Sequence, residues 1–489
     1  MGAVQARDEA VGEGAAPGRG SARGRRRPIL LIADHKWRDL PGLALLKVLL
    51  ERDHGVSAVI APYPQWEEVF FAFRPAAVCT STMSGPREQE IARRAREAGA
   101  ATVVLPTEGM PTVDAVMPIV ACERVDLSNV DLWLCWNEPV RDRMLARGQL
   151  AAEQLPVAGV GRFDFYHEPY RRLLRGREEL ASQYGFPASG KLVTWATNYG
   201  HAKFSAQSLE FHVKDWTERG LTELGPPFDD PAGYVRQDVR DQQLTLEMMP
   251  EVFARFPDVT FLVKTHPYEA VEVYEEMIGT CRKNGIENVH HVHYEYIGNL
   301  LNVADVHIHH CCTTGQEAWM MGIPTLNLRI PSDHVRPERG GACGEAIVHD
   351  DSFSDANEAC KRLEHYLNGG AVPEALSAGR ARHLERWLHK MDGGATRRIA
   401  EALAPLAGRF VSRPDAGDLR RRQRRHLRRS LLRIRANRLL GRPFDEPLPL
   451  TREAAARARP SADRPLILDR TVTQSDVRRW VREVERVAR

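Results

Sequence analysis

Short apolar runs alternate with segments of helical periodicity in two successive stretches of this chain, and this alternation limits the possible folds more than any other feature. The first stretch has six runs of strand length, at residues 28–33, 56–60, 76–80, 102–105, 131–136 and 156–158. Helical spacing of apolar residues recurs between them, at 40–51 and 87–98. Buried strands separated by helices are typical of a parallel sheet covered on both faces. We therefore predict an α/β domain over residues 28–175.

The pattern begins again after a charged helical link at 170–184. Five further strands are predicted, at 192–197, 259–264, 288–292, 305–310 and 324–328. Residues 176–405 are thus predicted to form a second α/β domain, giving two doubly wound Rossmann-type domains that face a cleft. An insert at 199–243 separates the first strand from a helix predicted at 244–256. Because long loops in compact domains usually have a function, the insert is predicted to be a lid or binding loop.

The two ends of the chain differ in composition from the domains. Residues 1–27 are rich in Gly, Ala and Arg without apolar periodicity, which predicts disorder. No apolar segment follows them as in a secretory signal, and no run is long enough to span a bilayer, so a cytoplasmic protein is expected. Residues 406–489 form a basic tail predicted to be helical. The eight cysteines include no CxxC pair and are expected to be small core residues.

Polar and ionisable residues follow most of the predicted strands. Open α/β sheets bind ligands beyond the carboxyl ends of their strands, so these residues are candidates for a site. They are Asp34, His35, Arg38, Glu108, Arg162, Asn198, Lys264 and His266. The Pro-Thr-Glu-Gly-Met-Pro loop would hold the Glu108 carboxylate stiffly, as a general base requires. The alternatives are that Glu108 is a surface turn residue and His266 a solvated loop residue.

The segment HHCCTTGQEAWMMGIP, residues 309–324, concentrates several reactive side chains. His307, His309 and Cys311 would point to one face of a strand and His310 and Cys312 to the other, and no second ligand pair has zinc-like spacing, so no metal site is predicted. Two capping-box patterns, which begin at Thr313 and Thr314 and end at Gln316 and Glu317, predict a helix start. Such a start can bind phosphate, although simple capping would explain the same residues.

The order of these segments resembles the surface-carbohydrate (capsule and O-antigen type) biosynthesis proteins with the two-domain GT-B glycosyltransferase fold. The resemblance covers about residues 28–405. It is carried by IADHKWRDLPGLALLKVLL, VLPTEGMP, VAGVGRFDFYHEPYR, YGFPASGKLVTWATNYG, FLVKTHPYE and ADVHIHHCCTTGQEAWMMGIPTLNL. Relatives typically have a small residue and Ser or Thr where Cys311, Cys312 and Thr313 stand. GT-B enzymes generally need no catalytic metal, and the resemblance implies no cofactor beyond a nucleotide-activated sugar as substrate.

The resemblance also implies roles for the candidate residues. Those expected to contact the donor nucleotide are Lys264, His266, Thr313, Thr314, Glu317, Asn198 and Arg162. Lys264, His266 and the start of the helix would stabilise the leaving phosphate. Glu108 is the expected base for the acceptor hydroxyl, with Asp34 as the second choice. Asp34, His35 and Arg38 would line the acceptor side.

The basic segment 419–438 contains ten arginines and a partial apolar face. It is typical of a helix that contacts a membrane surface, which would place the protein at the inner face of the plasma membrane. A solvated helix packed on the body of the protein is the alternative. Nucleic acid is not the expected partner, because no aromatic residue stands among the arginines to stack on bases.

The function predicted from the sequence is transfer of a sugar, or a polyol-phosphate-like unit, from a nucleotide-activated donor to a glycan or lipid-linked acceptor. One alternative is a nucleotide-sugar 2-epimerase, which would need more carboxylates in the cleft than Glu108 and Glu317. Another is a non-catalytic nucleotide- or glycan-binding protein of a membrane-bound assembly. That protein would not be affected by a Glu108→Gln substitution.

Overall fold

The structure is a computed structural model of the chain. It describes residues 27–207, 209–218, 220–266, 269–292, 295–330, 337–408 and 472–488, with isolated residues between 421 and 439. The predicted disordered segment 1–27, except for its last residue, and most of the basic segment 419–438 lie outside the described residues. None of the helices in the described part of the chain is long and apolar enough to cross a membrane.

The first domain contains a parallel sheet of five strands: β1 (Ile29–Ala33), β2 (Ala58–Pro62), β3 (Ala77–Thr80), β4 (Ala101–Val104) and β5 (Leu132–Trp133). Its helices are α1 (Leu40–His54), α2 (Trp66–Phe73), α3 (Pro86–Glu97), α4 (Met117–Val120) and α5 (Glu138–Arg147). The strand order is β2-β1-β3-β4-β5. Along β1, Ile29 and Leu31 enter one apolar cluster while Leu30 and Ile32 enter another. The sheet is therefore buried on both faces, as its continuous apolar strands predict.

The second domain contains a parallel sheet of six strands: β6 (Lys191–Ala196), β7 (Val259–Lys264), β8 (Val289–Val292), β9 (Val306–His309), β10 (Thr325–Leu328) and β11 (Asp351–Phe353). The strand order is β11-β10-β9-β6-β7-β8. Its helices are α6 (Arg177–Tyr184), α7 (Phe204–Gln207), α8 (Leu209–Glu218), α9 (Pro231–Arg255), α10 (Glu272–Lys283), α11 (Ile297–Leu301), α12 (Thr313–Met320), α13 (Gly341–Ala346), α14 (Ala356–Leu367) and α15 (Glu374–Leu388). The predicted fold class, two doubly wound Rossmann-type domains, is confirmed.

Both sheets have a topological switch point, where the chain leaves in opposite directions from two neighbouring strands. In the first sheet the switch lies between β1 and β3, and in the second between β6 and β9. Crevices that bind ligands form beyond the carboxyl ends of the strands at such points. The loops after these four strands are consequently the first places to look for a site.

Two C-terminal helices return to the first domain. They are α16 (Ala395–Leu403) and α17 (Gln474–Val487), and both pack against α1. Asp164 accepts hydrogen bonds from the backbone N–H groups of Ala395 (3.0 Å) and Thr396 (2.7 Å), so a side chain of the first domain caps α16. The ring of Trp480 in α17 meets that of Phe165 edge-on, at 5.9 Å between centroids. The domain boundaries predicted from the sequence assign residues 176–405, and therefore α16, to the second domain, so they do not include the packing of α16 against α1.

Three details differ from the predicted elements. The insert 199–243 is largely helical rather than a loop, since it contains α7, α8 and the first half of α9. The run 156–158 forms only an isolated bridge, between Cys135 and Val157, and not a strand. In addition, α9 begins at Pro231, thirteen residues before the predicted start at Leu244.

Candidate active site

Four charged side chains meet beyond the carboxyl ends of β1 and β4. Arg38 donates hydrogen bonds to Glu108 (2.9 Å), Asp39 (2.8 Å) and Asp34 (3.2 Å). Burial alone would lower the pKa of Arg38, but the three carboxylates raise it. The structure thus brings together the predicted base Glu108, the second choice Asp34 and the predicted acceptor-side residue Arg38. The Glu108 and Asp34 side chains are 82% and 50% exposed, so both remain open to solvent or substrate.

His35 shapes the turn that carries this cluster. Its Nδ1 accepts hydrogen bonds from the backbone N–H groups of Trp37 and Arg38, both at 3.2 Å. Its own backbone N–H donates to the Asp39 carboxylate at 2.9 Å. With Nδ1 acting as an acceptor, His35 holds the β1–α1 turn in place and positions Arg38.

Arg162 lies near this cluster, on the 3₁₀ helix Gly161–Tyr166. Its Nη1 donates to the carbonyl oxygen of Thr107 at 2.7 Å, and its guanidinium lies 5.1 Å from the ring of Trp136 and 4.7 Å from that of Phe163. Arg162 and Arg38 both line a cavity of about 80 Å³ between β1, β3, the loop after β4, α1 and α16. The cavity lies at the switch point of the first sheet.

The switch point of the second sheet brings Asn198 and the start of α12 together. Asn198, which follows β6, donates from Nδ2 to the carbonyl oxygen of His310, which follows β9, at 3.2 Å. Lys264 ends the neighbouring strand β7 and pairs in register with Ala196 of β6, which on its other side pairs with His309 of β9, four residues before α12. Burial lowers the pKa of Lys264 to about 8. The predicted donor residues Asn198 and Lys264 therefore lie near the start of α12.

His266 belongs to the same edge of the sheet. Its backbone N–H donates to the hydroxyl of Thr197 at 3.1 Å, and Thr197 in turn donates to the buried carboxylate of Glu269 at 2.8 Å. Pro267, the next residue, lies outside the described residues. The backbone of His266 is thus fixed by hydrogen bonds at the exit from β7.

The predicted capping boxes at the start of α12 are wrong. The residue at the N-cap is Cys312, and no side chain caps the helix. The Thr314 hydroxyl instead pairs with Nε2 of His307 at 3.0 Å, because α12 packs directly on β9. Thr313 is the first helical residue, and the side chain of the N-cap residue makes no capping hydrogen bond. The N–H of Gly315, in the first turn, donates to the carbonyl oxygen of Cys312 at 3.1 Å.

Glu317 connects the two domains instead of facing an open site. It is 4% exposed, and its Oε2 accepts a hydrogen bond from the hydroxyl of Tyr166. Burial raises the pKa of Glu317, while the nearby Arg162 lowers it. The hydroxyl of Tyr296 lies 3.3 Å from that of Tyr166. The expected contact of Glu317 with the donor nucleotide would require Tyr166 to move.

A second contact between the domains involves the loop that carries Glu108. The carbonyl oxygens of Pro111 and Thr112 accept hydrogen bonds from the N–H groups of Ala342 (2.7 Å) and Cys343 (3.1 Å), at the start of α13. Gly341 donates its N–H to Asp114 at 2.9 Å. The position of the Glu108 loop therefore depends on the second domain.

The histidines of segment 307–312 are mostly structural. His307 and His309 stack in parallel at 5.9 Å on one face of β9, as the alternation predicts. His307 pairs with Thr194 at 2.8 Å, and His309 lies 3.3 Å from the buried carboxylate of Asp350. Among the described residues, no group of three or more His, Cys, Asp or Glu side chains has an arrangement that could hold a metal ion. Metal independence stays a prediction.

Sequence reasoning missed several residues of this region. Tyr166 and Tyr296 contact Glu317 and Arg162 across the domain junction, yet each stands in the sequence as an ordinary aromatic residue. Asp114 binds Gly341, 227 positions away. Local patterns contain no signal for such pairs, although the rigid GVGRFDFY run could have directed attention to Tyr166.

No protein-family model matches the chain, and no curated protein matches it. Similar solved structures include the UDP-GlcNAc 2-epimerase from Neisseria meningitidis bound to UDP-GlcNAc, with 12% identity, a TM-score of 0.47, and coverage of 77% of this chain and 100% of that one. The wall teichoic acid polymerase TagF is similar at 9% identity and a TM-score of 0.48, with 78% and 89% covered. Such low identities and scores assign neither a family nor an activity.

Proposed function

We propose that this protein is a glycosyltransferase of surface polysaccharide biosynthesis. It transfers a sugar, or a polyol-phosphate-like unit, from a nucleotide-activated donor to a glycan or lipid-linked acceptor. The observation that carries the proposal is the hydrogen bond between Asn198 and His310 at the switch point of the second sheet. It places the loop after β6 beside the start of α12, where open α/β sheets bind ligands.

The donor side of the proposal is electrostatic. A nucleotide leaving group carries negative charge, and its departure is favoured by fixed cations and N–H donors. Lys264 is a partly buried cation near the start of α12, and the first turn of that helix has N–H groups without a side-chain cap. His266 follows Lys264 by two residues, just beyond the end of β7. These groups would bind the donor phosphates, and no cofactor is assigned.

The acceptor side of the proposal is the cluster around Arg38. Glu108 is exposed, accepts one hydrogen bond from Arg38, and lies on a loop held by α13. An acceptor hydroxyl that reaches Glu108 could transfer its proton to this carboxylate while it attacks the donor sugar. Asp34, on the other side of Arg38, is the second candidate. In this proposal the enzyme works in the cytoplasm, and segment 419–438 holds it at the membrane.

The first test is a thermal-shift panel with CMP, CDP, UDP, GDP and ADP on the wild type and His266→Ala. A ligand at about 100 times its Kd stabilises the folded state by roughly 2.7 kcal/mol. We expect one nucleotide to shift the wild type and not the variant. His365→Ala, which alters an exposed histidine of α14, is the control and should respond like the wild type. If no nucleotide at millimolar concentration shifts the wild type, the donor site is wrongly placed.

The second test separates transfer from binding. Glu108→Gln should lower the release of nucleotide from the matching nucleotide sugar, in the presence of a membrane lipid extract, by roughly 100-fold or more. Nucleotide affinity should not change. Glu97→Gln alters an exposed glutamate that is also paired with an arginine, and it is the matched control. If Glu108→Gln retains full turnover, the enzyme uses another base. If the wild type binds nucleotide but shows no turnover, the protein is a binding module.

One observation favours the epimerase as a second candidate. Three carboxylates, those of Asp34, Asp39 and Glu108, converge on Arg38, which is more than the sequence alone indicated. A nucleotide-sugar 2-epimerase would convert its substrate without an acceptor. Incubation of the nucleotide sugar alone, followed by NMR, distinguishes the two. Appearance of an isomer without release of nucleotide would establish the epimerase.

A further inference from the structure

The cavity beside Arg162, which we call the Arg162 cavity, combines an apolar wall with a polar end. Its volume is about 80 Å³, and it lies beyond the carboxyl ends of β1 and β3. Its apolar wall includes Leu43, Leu46, Leu105, Leu134 and Ile399. Arg38, Arg162 and hydroxyl-bearing side chains such as Thr80 and Ser81 also line it. An apolar wall with a few polar groups is the usual composition of a small-molecule site, although such sites usually measure roughly 300–1,000 Å³. A cavity of about 80 Å³ is therefore large enough for only part of a ligand.

The two arginines differ in how their charges are balanced. Arg38 has three carboxylate partners. The Arg162 side chain forms no ion pair within the described residues, and the one hydrogen bond that it makes there goes to the backbone carbonyl oxygen of Thr107. The side chain is half-buried, and two aromatic rings hold it in place. The carboxylate of Glu317 lies nearby, but it accepts a hydrogen bond from Tyr166 and forms no ion pair with Arg162. The partly desolvated guanidinium would therefore still gain from direct contact with an anion.

The surroundings of Arg162 also fix its backbone. A Cβ atom at Gly42 would lie 3.3 Å from the backbone of Arg162, so α1 packs closely against the residue. The adjacent Gly161 lies close to the side chains of Thr396 and Ile399 in α16. A planar guanidinium held in this way presents its remaining N–H donors in one geometry, which suits phosphate or carboxylate.

We propose that the Arg162 cavity binds the acceptor, and that this acceptor has an acidic group next to an apolar group. The phosphate or carboxylate would pair with the Arg162 guanidinium, while the apolar group would occupy the wall formed by Leu43, Leu46 and Ile399. The inference rests on the proposed function, because it identifies the first domain as the acceptor side. Lipid phosphates and acidic sugars with apolar substituents share this chemistry.

The test is isothermal titration calorimetry of the full chain with four probes: n-hexyl phosphate, hexanoate, hexanol and inorganic phosphate. The two acids with an apolar chain should bind more tightly than hexanol or inorganic phosphate. Arg162→Gln should weaken their binding by about 10- to 100-fold, and Arg162→Lys by less. Arg172→Gln, which alters an exposed arginine of the following segment, should bind like the wild type. Equal binding of hexanol, or unchanged binding by Arg162→Gln, would overturn the proposal.

Two further measurements make the result specific. An unchanged far-UV circular dichroism spectrum and urea midpoint show that Arg162→Gln is folded, and Arg162→Lys serves if it is not. If the wild type binds hexyl phosphate but no nucleotide, the proposed donor site is refuted, whereas the proposal for the Arg162 cavity is supported. Affinity that rises further with dodecyl phosphate indicates a lipid acceptor. Tighter binding of a hexose phosphate or a uronic acid than of hexyl phosphate indicates a soluble one.

Discussion

Comparing Gly341→Ala with Gly148→Ala should separate the contribution of the domain contact to the free energy of unfolding from that of backbone strain. Gly341 has φ +68°, and a Cβ atom there would lie 2.5–2.8 Å from backbone atoms of Val113. Gly148, at the end of α5, has φ +66° and open space around it, so Gly148→Ala imposes a similar strain of about 1 kcal/mol without a clash. The clash at Gly341 must be relieved by moving loop 106–114 away from α13.

The structure sets the size of the difference. Moving the loop breaks four interdomain hydrogen bonds, those made by the N–H groups of Gly341, Ala342, Cys343 and Gly344. At roughly 0.5–1.5 kcal/mol each, their loss adds about 2–6 kcal/mol to the backbone strain that both variants share. Urea denaturation followed by tryptophan fluorescence would measure both variants. We also expect Gly341→Ala to lower transfer, because the loop carries Glu108, without loss of nucleotide binding. Equal destabilisation of the two variants would refute this reasoning.

Three other predictions follow from individual side chains. Burial raises the pKa of Asp238 to about 7, so the folded state binds this proton more tightly than the unfolded chain does. The free energy of unfolding should therefore fall as the pH rises from about 4 to 7. In Asp238→Asn the urea midpoint should differ less between pH 5 and pH 8 than it does in the wild type. Since Lys264 loses its charge near pH 8, the nucleotide Kd of the wild type should rise between pH 7 and 9.5. Lys264→Gln should bind the nucleotide weakly, with a Kd that does not change over this pH range. Trp480→Ala should lower the free energy of unfolding by about 3–5 kcal/mol, because the buried ring packs on Phe165 in the core. A loss below about 1 kcal/mol, as expected for an exposed tryptophan, would contradict this packing.

The sequence was most informative where burial is apolar and local. Continuous apolar runs predicted most strands of both sheets, because a strand buried on both faces needs apolar residues at every position. Helix α9 shows the opposite case. The buried residues of its first half include Asp238, Asp241 and Gln242, so apolar periodicity begins only near Leu244, where the helix was predicted to start. Helices that bury polar groups have no such signal.

The candidate site was predictable in position but not in its contacts. Placing polar residues after the strands relied on a general property of parallel sheets and correctly brought Asp34, Arg38 and Glu108 to one edge. The strand order that creates two switch points comes from tertiary packing, which no local pattern contains. The start of α12 shows the same limit, since Thr314 pairs with a histidine of β9 rather than capping its own helix.

The return of α16 and α17 to the first domain has a consequence for protein synthesis. Apolar residues of both helices, including Leu403 and Val484, belong to the same cluster as Leu45 and Leu49 of α1. A ribosome completes the second sheet more than one hundred residues before it reaches Val484. The first domain, although translated first, must therefore wait with an uncovered face on α1 until nearly the whole chain has been made. Nascent chains stopped before α16 should bind chaperones through that face, and fragments that end after β11 should be insoluble when expressed alone.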